Sequence, residues 1–402
     1  MENPICCIEI SSSSIKLIVG YYFKESVYIL DSIESNRAYI CNGHVSDVDQ
    51  MSKGISELIQ NVQHKLGIDI SEVYLGFYPY RFKTEHKVDS TAVTSTEGII
   101  EDYDSINLEN KFKNGFNTQS QIICDLSPNL FNTDDGKVYN IYPKGSRSRT
   151  LGMDADAMFI DKDYYEEVIR VFNSCNIRIK RTCFIPNACN KYMSSFDPNL
   201  KNFILIDFQN EATFVSIIYN GKVKESTCFG YGYNKITQAL MENLQIDQQL
   251  AEYYKNVYGI CEEPRFDFKT KQNHTIKQIK EIIIKSVEIL YNNLYTFLSG
   301  FTTDYRQNII ITGEGSNLVN LGQYLSAQLN MKTTKFAPIT PGARNSASTN
   351  LVSMIYYFET YQLKNYSRVS AVGFTRPNTS NNPTTTRTIS IHDITSDETE
   401  KL

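Results

Sequence analysis

Two segments far apart in the chain repeat one another, and that repetition constrains the fold more than any other feature. "CCIEISSSSIKLIVG" runs as an apolar strand carrying Glu9, a turn of hydroxyls and a second apolar strand. "NFILIDFQNEATFVSIIYNGKVKESTCF" repeats the plan with Asp207, a polar turn, an apolar strand and a further turn at Asn220-Gly221. A chain of 402 residues exceeds what one hydrophobic core usually serves, so two related halves are expected.

Between the repeats the pattern changes twice. Met51, Ile55, Leu58, Ile59, Val62 and Leu66 fall at helical spacing and predict a crossover helix, closed by the strand "SEVYLGFY". From residue 78 to 160, short alternating strands separated by Ser-Pro, Asp-Asp-Gly and Pro-Lys-Gly turns read as an inserted β-rich subdomain. Asp154 and Asp156 alternate along one of these strands and are expected to face solvent. After the second repeat, 238–302 is mostly helical, with an apolar stripe of Ile279, Ile282, Ile283, Ile289 and Leu290 beside Lys277, Lys280 and Lys285. "IIITGEGSNL" predicts a strand and a Gly-containing turn, and "STNLVSMIYYFETYQL" a last helix. Residues 376–402 are rich in Thr, Asn, Pro and Ser and read as a disordered tail.

Several function classes are disfavoured at this stage. A net charge of −5 supplies no basic footprint for nucleic acid, which is held by Lys and Arg neutralising phosphates. The nine cysteines, an odd number scattered mostly singly in apolar runs, read as reduced thiols in a cytoplasm, and none makes a metal knuckle with a histidine. No basic leader precedes an apolar core and no run approaches the roughly 20 apolar residues of a spanning helix, so a soluble, unprocessed protein is expected. Asp134-Asp135-Gly136 lacks the downstream oxygens of a calcium loop and reads as a turn. The serine run has no His and Asp partners placed to activate it, so hydrolase chemistry is unsupported.

Two carboxylate-headed hairpins with a late Gly-turn-to-helix form the layout of the actin-like (ribonuclease H-like, duplicated) two-domain α/β fold. Within it the chain resembles the bacterial cell-division FtsA family, from residue 4 to 372. The resemblance rests, in order, on "IEISSSSIKLIVG", "RAYICNGHVSDVDQMSKGISELI", "LSPNLFNTDDGKVYNIYPKGSRSRTLGMDADAM", "ILIDFQNEATFVSIIYNG", "GYGYNKIT", "AEYYKNVYG" and "IIITGEGSNL". The insertion resembles the subdomain peculiar to that family. The resemblance implies a first core subdomain from 1–77 and 161–198, the FtsA-type insertion at 78–160, and a second core subdomain from 199–237 and 303–375. A helical subdomain would span 238–302.

The resemblance also implies ATP with Mg as cofactor, the metal held only through the nucleotide. It places Ser11, Ser12, Ser13 and Lys16 at the first phosphate loop and Asp207 and Thr213 at the second. Gly232 lies nearby, Glu252 and Lys255 on the adenosine side, and Gly313, Gly315 and Ser316 against adenine or ribose. Glu9 and Asp207 are the candidates for positioning Mg or the attacking water. The family pattern is altered in each loop, however. Glu9 and Ser11 stand for aspartate and glycine, and Tyr233 for a second glycine. Gln209 and Asn210 put side chains where backbone should meet phosphate, and Glu211 adds a charge whose repulsion is roughly 1 kcal/mol at ~4 Å even in water. Two readings of the first hairpin stand: an altered phosphate loop, or a hydroxyl-rich hairpin with a snorkelling lysine. Glu252 and Lys255 likewise read either as nucleotide contacts or as a surface ion pair. The replaced glycines imply no or very weak ATPase activity, with any bound nucleotide structural.

The implied function is an adaptor that self-assembles and links the FtsZ ring to the membrane at the septum, from the cytoplasmic face. Lys285 and Asn292 are the candidates for the FtsZ C-terminal tail; further partners are other copies of the chain, as filament or oligomer, and other divisome proteins. The ending "RTISIHDITSDETEKL" is acidic and poor in bulky apolar residues, so membrane contact is expected to be indirect or weak. The competing readings are an active actin-like ATPase and a pilus-assembly-type adaptor of the same fold.

Overall fold

The computed structural model describes residues 4–362 apart from 13, 36, 38, 42, 117–118, 261–267 and 302–307. Strands β1 (Ile5–Ile10) and β2 (Ile15–Phe23) pair antiparallel with Ile10 opposite Ile15. Ser11 N donates to Ser14 O (2.9 Å) and Ser14 N to Ser11 Oγ (3.1 Å), closing the turn from within. β3 (Ser26–Ser35) extends the sheet, and a short ladder of β4 (Ile40–Cys41) and β5 (His44–Val45) leads into α1 (Val48–Leu66). Asp47 caps that helix by accepting from Gln50 N (2.9 Å), and Gly67 ends it in the left-handed region at φ 66°. β6 (Glu72–Phe77) then returns parallel to β1.

The insertion follows as β7 (Lys83–Ala92), α2 (Asp102–Asn114), β8 (Gln121–Thr133), β9 (Val138–Tyr139) and β10 (Thr150–Asp161), with sheet order β7-β10-β8-β9. Leu151, Met153, Ala155, Ala157 and Phe159 of β10 share a core with Leu108 and Phe112 of α2. Asp156 does not face solvent as its alternation predicts. It is 7% exposed, because Asn129 Nδ2 (2.9 Å) and Lys222 Nζ (2.9 Å), reaching across from the second half, meet one of its oxygens. Asp154 is partly buried beside it and accepts from Asn129 Nδ2 (2.7 Å).

α3 (Lys162–Ser174), β11 (Arg178–Phe184) and α4 (Ile185–Phe196) complete the first half. The second half comprises β12 (Phe203–Phe208), β13 (Thr213–Tyr219), β14 (Lys222–Phe229), α5 (Asn234–Leu244), α6 (Gln248–Tyr258) and α7 (Ile276–Ser299). β15 (Asn308–Thr312), α8 (Leu321–Leu329), β16 (Thr333–Lys335) and α9 (Thr349–Tyr357) follow.

The two large sheets, β3-β2-β1-β6-β11 and β14-β13-β12-β15-β16, have one topology: a three-strand antiparallel meander continued by parallel strands. Even the turns match, since Phe208 opposite Thr213 repeats Ile10 opposite Ile15. The duplication read from the sequence is therefore a duplication of sheet register.

α4 and α9, through Met193 and Ile355 among others, share a core with residues of both sheets, among them Cys7, Ile18, Phe203, Leu205 and Phe214. α9 was expected to go with the second unit, yet it packs on α4 and on the face of β1 and β2. Its sides are nearly all buried, which only a position between layers satisfies. Ile289, expected in the buried stripe of α7, is instead 50% exposed, one position off the seam of Ile279, Ile283 and Leu290. The tail at 376–402 lies outside the described residues.

Candidate functional site

The two turns bring Glu9 and Asp207 to the ends of the central strands, 1% and 5% exposed. Tyr78, just beyond β6, stands between them. Its hydroxyl donates to Glu9 Oε2 (3.3 Å) and accepts from Gln209 Nε2 (2.6 Å) and Asn350 Nδ2 (3.1 Å). The same two amides donate their other N–H groups to Asp207 Oδ2, at 2.9 and 2.8 Å. Phe214 stacks on the Tyr78 ring, centroids 4.2 Å apart, and holds the hydroxyl in place. Glu9 Oε1 and Asp207 Oδ1 are buried without a hydrogen-bond donor.

Lys16 does not snorkel into solvent. It is 6% exposed, and its Nζ donates to Glu314 Oε1 (2.8 Å) while lying 3.7 Å from Glu34 and 3.9 Å from Glu9. Burial would pull this lysine's pKa down, but the charges of Glu9, Glu314 and Glu34 outweigh it and hold the pKa above the ordinary value. Burial pushes Glu9 up to about 7, although Lys16 pulls the other way. Burial also raises Asp207, against the hydrogen bonds from Asn350 and Gln209.

At Glu252 and Lys255, the surface-pair reading of Lys255 gives way to a buried cation. Lys255 is 1% exposed; its Nζ donates to Thr237 Oγ1 (2.6 Å), lies 3.5 Å from Glu252, and sits 3.5 Å from the centre of the Tyr233 ring. Burial lowers its pKa, with Glu252 opposing. The Tyr233 hydroxyl donates to Asn256 Oδ1 (2.6 Å), and the ring meets Phe208 edge-on at 5.9 Å.

Several of the remaining candidates make contacts within the protein. Ser11 closes its own turn, Ser12 is partly buried beside it, and Ser13 lies outside the described residues. Thr213 Oγ1 donates to Tyr231 O (2.6 Å), and Ser316 Oγ lies 2.7 Å from both Gly313 O and Ser346 Oγ. A Cβ on Gly313, at φ 83°, would stand 2.5 Å from Asp207 Oδ1, and one on Gly315 would stand 2.3 Å from the Phe208 ring. These glycines admit protein side chains closely. Gly232 backs onto the Asn210 carbonyl in the same way. The backbone N–H groups of Tyr233 and Asn234 donate to the carbonyls of Gln209 and Asn210, both at 2.9 Å.

These residues do not fit a Mg-triphosphate as arranged. Glu9, Glu34, Asp207 and Glu314 surround one lysine, so a polyanion would enter a field of its own sign. Among the described residues, no cluster of His, Cys, Asp and Glu could hold a metal ion. Lys285 and Asn292 are both exposed on α7.

Tyr78, Asn350, Glu314 and Phe208 escape the sequence reading. Tyr78 and Glu314 follow the parallel strands β6 and β15, at whose ends α/β sheets place their sites, so their positions carried a signal. Asn350, inside an apolar helix, carried only its oddity.

The duplicated sheets joined at a two-hairpin cleft define an actin-like protein. Solved structures agree: the PilM-PilN type IV pilus biogenesis complex matches with a TM-score of 0.57 at 12% identity, over 88% of this chain and 98% of that one. MreB5 of Spiroplasma citri bound to ADP matches with a TM-score of 0.53 at 10% identity, over 90% and 98%. No family model matches the chain. Its sequence is nonetheless similar to the cell division protein FtsA of Staphylococcus epidermidis, 22% identical over 382 residues (88% of this chain, 78% of that protein). FtsA of Enterococcus hirae is 20% identical over 372 residues, 89% of this chain and 84% of that one. The chain is thus similar to FtsA proteins along most of its length, at 20–22% identity.

Proposed function

We propose that this protein is an FtsA-like cell-division adaptor that self-assembles and links an FtsZ-type ring to the membrane at the septum, from the cytoplasmic side. The similarity to FtsA along 88% of the chain carries the reading. α7 supplies a surface suited to it. Lys285, Ile289 and Asn292 are exposed at successive helical turns and offer a cation, an apolar contact and an amide to an acidic, partly apolar peptide. Among the described residues no helix is long and apolar enough to cross a membrane, so membrane attachment would come through the tail or a partner. MreB5, a neighbour in fold, has been solved bound to ADP and to AMPPNP, which makes a nucleotide the natural cofactor to test. The adaptor reading does not depend on it, because peptide capture and self-assembly need no hydrolysis.

Fluorescence anisotropy with a labelled C-terminal peptide of the FtsZ from the same organism tests this. Saturable binding is expected, weakened about tenfold or more by Lys285→Glu, a change of roughly 1.4 kcal/mol. Failure to bind that peptide, together with capture of an N-terminal peptide from an inner-membrane pilus protein, would move the reading to a pilus-type adaptor.

A further inference from the structure

The cleft between the two hairpins holds the contacts that a bound ligand would be needed to make. Lys16, on the first sheet, reaches Glu314 beyond the end of the second. Tyr78, from the first half, accepts from Gln209 of the second, and Asn350 binds Tyr78 and Asp207 at once. Phe208, Tyr233 and Lys255 fill the side where a base would lie, with Tyr233 touching both of the others. At the start of α5, the N–H groups of Tyr233 and Asn234 are directed at the second hairpin's carbonyls and not into the opening.

We propose that the cleft is closed by a latch of its own side chains, Lys16–Glu314 and Tyr78–Gln209–Asn350–Asp207, so that the two halves keep one arrangement without a nucleotide. In a fold of this kind a triphosphate would bridge the hairpins by taking backbone N–H groups and a lysine. Here the lysine is committed to carboxylates, and the amides of Gln209 and Asn350 supply the bridging hydrogen bonds. Binding a nucleotide would require breaking the ion pair, displacing Gln209 and turning Phe208 out of its packing, with the acidic surplus left facing the phosphates. The inference concerns the cleft alone and holds whichever partner the protein serves.

Hydrogen exchange and thermal melting of the full chain, with and without millimolar Mg-ATP or Mg-ADP, test it. Exchange is followed in peptides spanning residues 9–16 and 207–214. The melting temperature of the wild type is expected to stay within about 1 °C, whereas a ligand well above its Kd would raise it by a few degrees. Lys16→Met is expected to speed exchange about tenfold or more in both peptides, with distant segments unchanged. Glu314→Gln, at the more exposed end of the pair, provides the same test should Lys16→Met fail to fold. Nucleotide-induced stabilisation or protection of either hairpin would overturn the proposal. So would unchanged exchange at both hairpins in the latch variants.

Discussion

Glu9→Gln is expected to stabilise the protein at pH 8 and to leave it nearly unchanged at pH 5. Glu9 is buried at the end of β1 facing Tyr78, with Asp207 nearby and Lys16 as its main cationic neighbour. Burial lifts its pKa to about 7, against 4.5 for a free glutamate. A carboxyl whose folded pKa is raised contributes stability that is full below the unfolded value and fades as pH climbs through the folded one. In the wild type this contribution is therefore intact below about pH 4.5 and is lost progressively through pH 7. Glutamine is a neutral isostere of the protonated acid and does not titrate. The advantage of the variant should accordingly grow from under about 1 kcal/mol at pH 5 to about 3 kcal/mol at pH 8, since each tenfold change in proton affinity is worth ~1.4 kcal/mol. Asp207, also raised by burial, remains in the variant and leaves a residual slope of the same sign. Urea melts of both proteins across pH 5 to 8 measure this; curves that run parallel would show that Glu9 is ionised throughout.

Phe208→Ala is expected to cost about 3–5 kcal/mol, the range for a fully buried Phe truncated in a close-packed core. The ring lies where the second hairpin, the Gly313–Gly315 turn and Tyr233 converge, and Gly315 has no room for even one more carbon against it. The surroundings are tied to the backbone of β12 and β15, so the hole cannot close by collapse. Phe208→Leu keeps much of the volume and should cost distinctly less. Equilibrium denaturation of both variants decides the matter, and a loss below about 1 kcal/mol for Phe208→Ala would show a ring that is not tightly packed. The contrast bears on function, because a side chain of such structural weight is a poor candidate to swing aside for a ligand.

Much of the fold was legible from local chemistry. The apolar strand, carboxylate, polar turn and apolar strand of residues 6–20 and 202–219 is written in consecutive residues, and the turn Ser11–Ser14 closes on bonds its own side chains make. The helical spacing of Met51, Ile55, Leu58 and Val62 likewise became the buried face of α1. Asp156 and Ile289 went against their patterns in opposite directions, because only the packed structure decides which positions a neighbouring element covers. Lys222 came from the second half to cover Asp156, and α7 turned Ile289 one position off its seam.

The altered hairpin residues Glu9, Ser11, Gln209 and Glu211 showed in the sequence alone that the two hairpins depart from the family's pattern. Which side chains meet between the two hairpins was decided in three dimensions. Asn350 meets Tyr78 across 272 residues of chain and Asp207 across 143, and Lys16 meets Glu314 across 298. No window of sequence contains such a pair. Strands, turns and their duplication follow from short-range periodicity and turn chemistry, whereas the occupant of a cleft depends on which distant side chains the packed sheets bring within about 3 Å, the reach of a hydrogen bond.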